Sequence, residues 1–215
     1  MVVEFASPPG NAQEIALTGF QSLARFTQAS HREGEAGIQV LPETDVTLSA
    51  PRPVHHLGLQ QIVAREPIRN SAATGWQYLV LTKDGAVASS EVSIGTDERP
   101  PMLELVNMGP FVQSTASALQ RLEDFPDVRS GRYELHMLKI PALWAFVLWL
   151  RQLDGSADLF IVLSPAPEFL EAGRIYREDE LLDVLEDPAR RRLESTPHQA
   201  AERRSSRQVR SSNLS

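Results

Sequence analysis

The chain of 215 residues contains no cysteine. Disulfide bridges, thiolate nucleophiles and cysteine-based zinc sites are thereby excluded. Long apolar runs are missing too. The longest strongly apolar stretch, residues 142–150, falls well short of the roughly 20 residues a membrane helix needs. Neither Gly-x-Gly-x-x-Gly nor Gly-x-x-x-x-Gly-Lys occurs, so the common nucleotide-binding loops have no counterpart here. No Gly-x-Ser-x-Gly elbow marks an activated serine. The first residues lack the basic start and apolar centre of a signal peptide, so a cytoplasmic protein without a membrane span is the expectation.

What is present suffices for a core. Hydrophobic residues make up 42% of the chain, against a net charge of −7. The charge is uneven. Residues 190–215 hold seven arginines and two glutamates, a net +5, which leaves −12 on residues 1–189. An acidic body argues against nucleic acid binding by the folded part. From about Glu194 onward the chain is Ser, Arg, Gln and Glu with almost nothing to bury, and it reads as a disordered basic tail.

Periodicity divides the rest. Residues 1–10 read as an irregular arm. Asn11 stands three residues before Glu14, the capping-box spacing, and Ala16, Phe20 and Leu23 then recur at helical intervals, predicting a helix over about 12–28. Short strand-like runs follow at 38–41 and 46–48, and a short helix fits around 57–64. Residues 76–83 and 86–92 flank Asp84-Gly85, predicting a two-residue hairpin turn with both central residues at positive φ. Trp76, Tyr78, Val80 and Thr82 then share one face. A strand over 102–106 and a helix over 111–125, with Pro110 at its start, come next. Residues 132–140 read as strand, broken or bulged at Pro141, continuing over 142–151, turning at Asp154-Gly155-Ser156 and returning over 158–164. A helix over 141–153 is the alternative, but Trp, Phe and Val favour strand. A last helix fits 177–186, stopped by Pro188.

The expected fold is α+β: a mainly antiparallel sheet with helices packed on one face, plus the disordered tail. One domain would cover 11–193, divisible into helix-plus-sheet halves of about 11–106 and 107–189.

Candidate chemistry is sparse. His55 and His56 are adjacent and would point to opposite faces of a strand, so one metal does not take both. His31, His55 and His56 read as surface or loop residues and His136 as a partly buried strand residue beside Glu134. No metal, cofactor or catalytic residue is assigned. Ser164 reads as a strand-end turn residue, and the acidic pairs read as helix ends. The aromatic set is more informative. Trp144 and Trp149, five residues apart on one presumed strand, would face opposite sides, and the side away from the core would need cover. Trp76, Tyr78 and Phe146 extend this set. Arg203, Arg204 and Arg207 form a docking arm in the tail. The reading is a non-enzymatic interaction or assembly subunit, with a protein partner or a second copy on the Trp-rich strand and nucleic acid only through the tail. The alternative is a small-ligand-binding domain or hydrolase-like enzyme with an apolar pocket near those strands, with Tyr133, Glu134 and His136 at its mouth.

Overall fold

The computed structural model describes residues 2–30, 45–96, 98–129, 131–153 and 157–195. The expected strand at 38–41, His31, the turn at 154–156 and the tail with Arg203, Arg204 and Arg207 lie outside the described residues.

Among the described residues, ten strands form one sheet: β1 (Val2–Glu4), β2 (Thr47–Leu48), β3 (Arg52–His56), β4 (Ala73–Thr82), β5 (Gly85–Ser93), β6 (Leu103–Asn107), β7 (Arg132–Ile140), β8 (Ala145–Gln152), β9 (Leu159–Val162) and β10 (Ile175–Tyr176). The helices are α1 (Ala12–Ser30), α2 (Leu59–Val63), α3 (Pro110–Gln120), α4 (Pro126–Arg129) and α5 (Glu178–Ser195). The strand order is β10-β9-β8-β7-β3-β4-β5-β6, with β1 beside β7 and β2 beside β4. Two antiparallel meanders, β3 to β6 and β7 to β10, thus run outward from a central parallel pair, β3 and β7. The expectation of an α+β fold with a mostly antiparallel sheet is met.

Helices cover both faces, not one. The alternation along β4 shows this: Trp76, Tyr78 and Val80 pack under α1, while Leu79 joins Val54, Met137 and Leu148 against Phe111 and Val112 of α3. On β7, Leu138 and Ile140 pack with Leu181, Leu182 and Leu185 of α5. The registers put His55 and His136 on the α5 side, and Arg52, Gln77, Glu91, Met137 and Lys139 on the α3 side. The one-face arrangement holds in part: α1, α2 and α5 share one face while α3 covers the other, because both meanders bury both faces, which alternation in single strands understates.

The sheet curls around α3. Adjacent residues of that helix reach far-apart strands: Gln113 Nε2 donates to Ala86 O on β5 at 2.7 Å, and Ser114 Oγ accepts from the Ser164 amide just after β9 at 2.7 Å. Five strand spacings of a flat sheet would span about 24 Å, so only a curved sheet meets both bonds. On the opposite face, Ala12, Ala16, Phe20 and Ala24 of α1 are wholly buried. Their spacing of four makes a stripe of mostly small side chains that brings the helix close to the sheet. A Cβ at Gly19 would lie 2.6 Å from Leu103 Cδ2 of β6, so a side chain there would have to displace the flexible end of Leu103.

Three local expectations change. The β4–β5 turn is Lys83-Asp84, since Thr82 pairs with Gly85, and Gly85 alone takes positive φ, at 125°. The chain does not run through Pro141 as strand, nor does 141–153 form a helix. Residues Pro141–Leu143 make a 3₁₀ turn, Trp144 takes the left-handed conformation (φ 53°, ψ 34°), and β8 folds back antiparallel on β7. Finally, α5 passes Pro188 and continues to Ser195. Burial of Pro188 and Ala189 against the sheet offsets the backbone bond that an internal proline forfeits.

Candidate functional site

Polar side chains are buried on both faces of the central parallel pair, and they form two separate networks.

The first lies on the α5 side. His55 Nδ1 donates to Ser71 O at 2.9 Å, and His55 Nε2 lies 2.9 Å from His136 Nδ1. A carbonyl only accepts, so His55 carries its proton on Nδ1. Its Nε2 then accepts from His136 Nδ1–H, and both rings are neutral. Burial first, then the charge His55 would carry if it too were protonated and that of Arg151, pushes His136 down to about 3. Glu134 Oε1 sits 2.7 Å from His136 Nε2, but the two are not aligned as a hydrogen bond. Burial therefore decides the protonation state. Trp149 packs on both rings, with centroids 5.0 and 4.9 Å away, and its Nε1 donates to Asp158 Oδ2 at 3.0 Å. Asp158 also binds Arg69, at 2.5 and 2.8 Å, and the Gln152 amide. The His55–His136 contact joins β3 to β7 across the parallel junction, and the other interactions tie that junction to the 3₁₀ turn at Ile68–Asn70 and to the approach to β9.

The second network lies on the concave α3 side. Lys139 Nζ is 2.5 Å from both carboxylate oxygens of Glu91. Gln77 Nε2 donates to Glu91 Oε1 at 3.3 Å, while Gln77 Oε1 accepts two long bonds from Arg52, 3.4 Å from Nε and 3.3 Å from Nη2. Arg52, Gln77, Glu91 and Lys139 are all buried. Burial outweighs the attraction of Glu91 and pulls the Arg52 guanidinium down to about 10. A cavity of about 210 Å³ opens beside Arg52, between the β1 arm, the end of α3 and β7.

The aromatic residues singled out in the sequence do not form one site. Trp149 is 1% exposed, sealed by its own chain. Trp144 is 75% exposed on the β7–β8 turn, not on a strand. Phe146 turns to the opposite face, 4.7 Å from Phe111. Trp76 and Tyr78 belong to the α1 cluster, where burial lifts the Tyr78 hydroxyl to about 12. Tyr133 and His136 are buried, on opposite faces of β7. His55 is buried rather than exposed, because β3 is the central strand; His56, on the other face, is exposed as expected. The structure does bring His136 and Trp149 together. Sequence reasoning missed Arg52, Gln77, Glu91 and Lys139. Their one advance signal was polar side chains on strands too apolar to be edges. Among the described residues, no group of three or more His, Asp or Glu is placed to hold a metal ion.

The chain matches no protein-family model, and comparison with curated proteins and with solved structures yields no significant match.

Proposed function

We propose that the protein is a non-enzymatic assembly subunit that pairs with a second copy of itself through the edge strand β6. One observation carries this reading. Of nine large apolar residues exposed among the described residues, three lie on or next to this strand, Met102, Leu105 and Met108, and a fourth, Ile94, follows the neighbouring β5. Among the described residues, nothing pairs with the outer side of β6. An edge strand offers unpaired amides and carbonyls, and soluble proteins usually guard such edges with lysine, proline or a bulge within the strand. From Met102 to Met108 the only charge is Glu104 and no proline interrupts; the one guard is a bulge against β5, where Glu104 is the extra residue between Leu103 and Leu105. The Trp-rich strand first expected to dock a partner is covered by its own chain, so the interaction surface moves to this edge.

Antiparallel self-pairing centred on Leu105 is chemically consistent. It sets Leu105 against its symmetry mate, Glu104 against Val106 and Leu103 against Asn107. No like charges meet, and the same patch serves both copies, as a two-fold interface requires. Sedimentation equilibrium on the full chain tests this. A concentration-dependent dimer is expected, and Leu105→Lys, which opposes two lysines at the centre, should leave a folded monomer. A wild-type monomer at high micromolar concentration, or an undisturbed Leu105→Lys dimer, refutes the proposal.

A further inference from the structure

We propose that the cavity beside Arg52 binds a small monocarboxylate with an apolar body, its carboxylate on the guanidinium and its body between β1 and α3. This site is independent of the β6 edge and lies on the other side of the central strand.

Charge balance is the first argument. Arg52 and Lys139 are both buried cations, and Glu91 is the only buried anion in their network. Lys139 takes both oxygens of Glu91 at close range. Arg52 reaches Glu91 only through the neutral amide of Gln77. One positive charge is therefore left over inside the protein. An uncompensated buried charge is costly, and a ligand of one negative charge would balance it.

Donor capacity is the second argument. A guanidinium has five N–H donors, and Arg52 spends two, both on the single oxygen of Gln77 and both long. The side chain is 1% exposed, so the cavity touches it only over a small residual surface, and that surface is where a carboxylate would meet the free donors. The planar fork suits a carboxylate held by two parallel bonds.

The shape of the cavity selects the rest of the ligand. Val3, Phe5, Leu119, Leu122 and Leu135 line it together with Arg52. Ser49, also in the wall, is already committed, its hydroxyl donating to Ala50 O and accepting from the Leu79 amide. Beyond the guanidinium the wall is thus apolar. At about 210 Å³ it is smaller than a drug-sized pocket, and a short alkyl chain or one ring fills it. Phosphate fits poorly: it brings more than one charge and no apolar body. Phe5, 47% exposed at the mouth, gives the ligand a way in.

The test uses the full chain with octanoate and 3-phenylpropanoate as probes, and 1-octanol and inorganic phosphate as controls, followed by titration calorimetry. Both carboxylates should bind saturably with one site per chain, and the controls should not. Arg52→Met keeps the length and removes the charge; it should weaken octanoate by about tenfold or more. Leu119→Trp fills the cavity without touching Arg52 and should abolish binding, so the prediction survives if Arg52→Met fails to fold. Failure of both carboxylates to saturate at millimolar concentration overturns the proposal. So does octanol binding as tightly as octanoate, or Leu119→Trp binding like wild type.

Discussion

Trp144 and Trp149 are five positions apart and carry opposite structural weight. Trp149 lies under α5, against two histidine rings, with its indole N–H on Asp158. Removing it leaves a large void and takes one of the two donors from Asp158 Oδ2, which keeps its bond from Arg69 Nε. Trp149→Ala should cost about 3–5 kcal/mol. Trp144 stands out in solvent in a left-handed conformation, so Trp144→Ala should change stability by no more than about 0.5 kcal/mol. Urea unfolding of the two variants checks the contrast; equal losses would contradict the burial described. The sequence shows both residues as one greasy segment because the 3₁₀ turn that ends at Trp144 has no strong signal beyond Pro141. The buried charge network was even less visible. Its hydrogen bonds link residues 25, 14 and 48 positions apart. No local pattern states which strand lies opposite which, and a glutamate in Ser-Ser-Glu-Val looks like an ordinary solvent-facing residue until its neighbours across the sheet are known.

At the level of elements, hydrophobic period was a good guide where one face of a segment was buried and a poor one where both were. The helix over 12–28 and the strand over 102–106 were legible for the first reason; the strands over 76–83 and 132–140, buried on both faces, were legible from β-prone composition and, for the former, the Asp84-Gly85 turn signal. The reversal after Ile140 was not, since β7 and β8 are buried on both sides and read as one continuous run. Tertiary packing also overrode the stop signal at Pro188. The β4–β5 turn offers a sharp test. Gly85 holds φ 125°, and a Cβ there would meet nothing within 4 Å. Any penalty for Gly85→Ala is thus backbone strain alone, about 1–3 kcal/mol. Asp84 needs no positive φ in this geometry, so Asp84→Ala should cost far less. If the two variants lose equal stability in urea, the turn has both residues at its centre and the Lys83-Asp84 assignment falls.

For the whole molecule, the buried histidines tie folding to pH in a defined window. His136 is held down to about 3 by burial first and by His55 and Arg151 next, and His55 is lowered as well, chiefly by burial. In the unfolded chain both titrate near 6.5. Between these limits the unfolded chain binds protons that the folded one refuses, so acid favours unfolding. Stability is fully present above about 6.5 and is lost as pH falls toward 3, with a slope near 1.4 kcal/mol per pH unit for His136 and a further loss in the same direction from His55. The interval from 6.5 to 5 is the decisive part, because ordinary carboxylates stay ionised there and add little. Urea unfolding at pH 7.5, 6 and 5 should show a steady fall. In His136→Gln, which cannot take up the proton, the fall should be shallower by about one histidine's share. A flat profile across that interval would mean that the pair is already protonated in the fold. The neutral chain from His136 through His55 to Ser71 would then be replaced by an imidazolium held by Glu134.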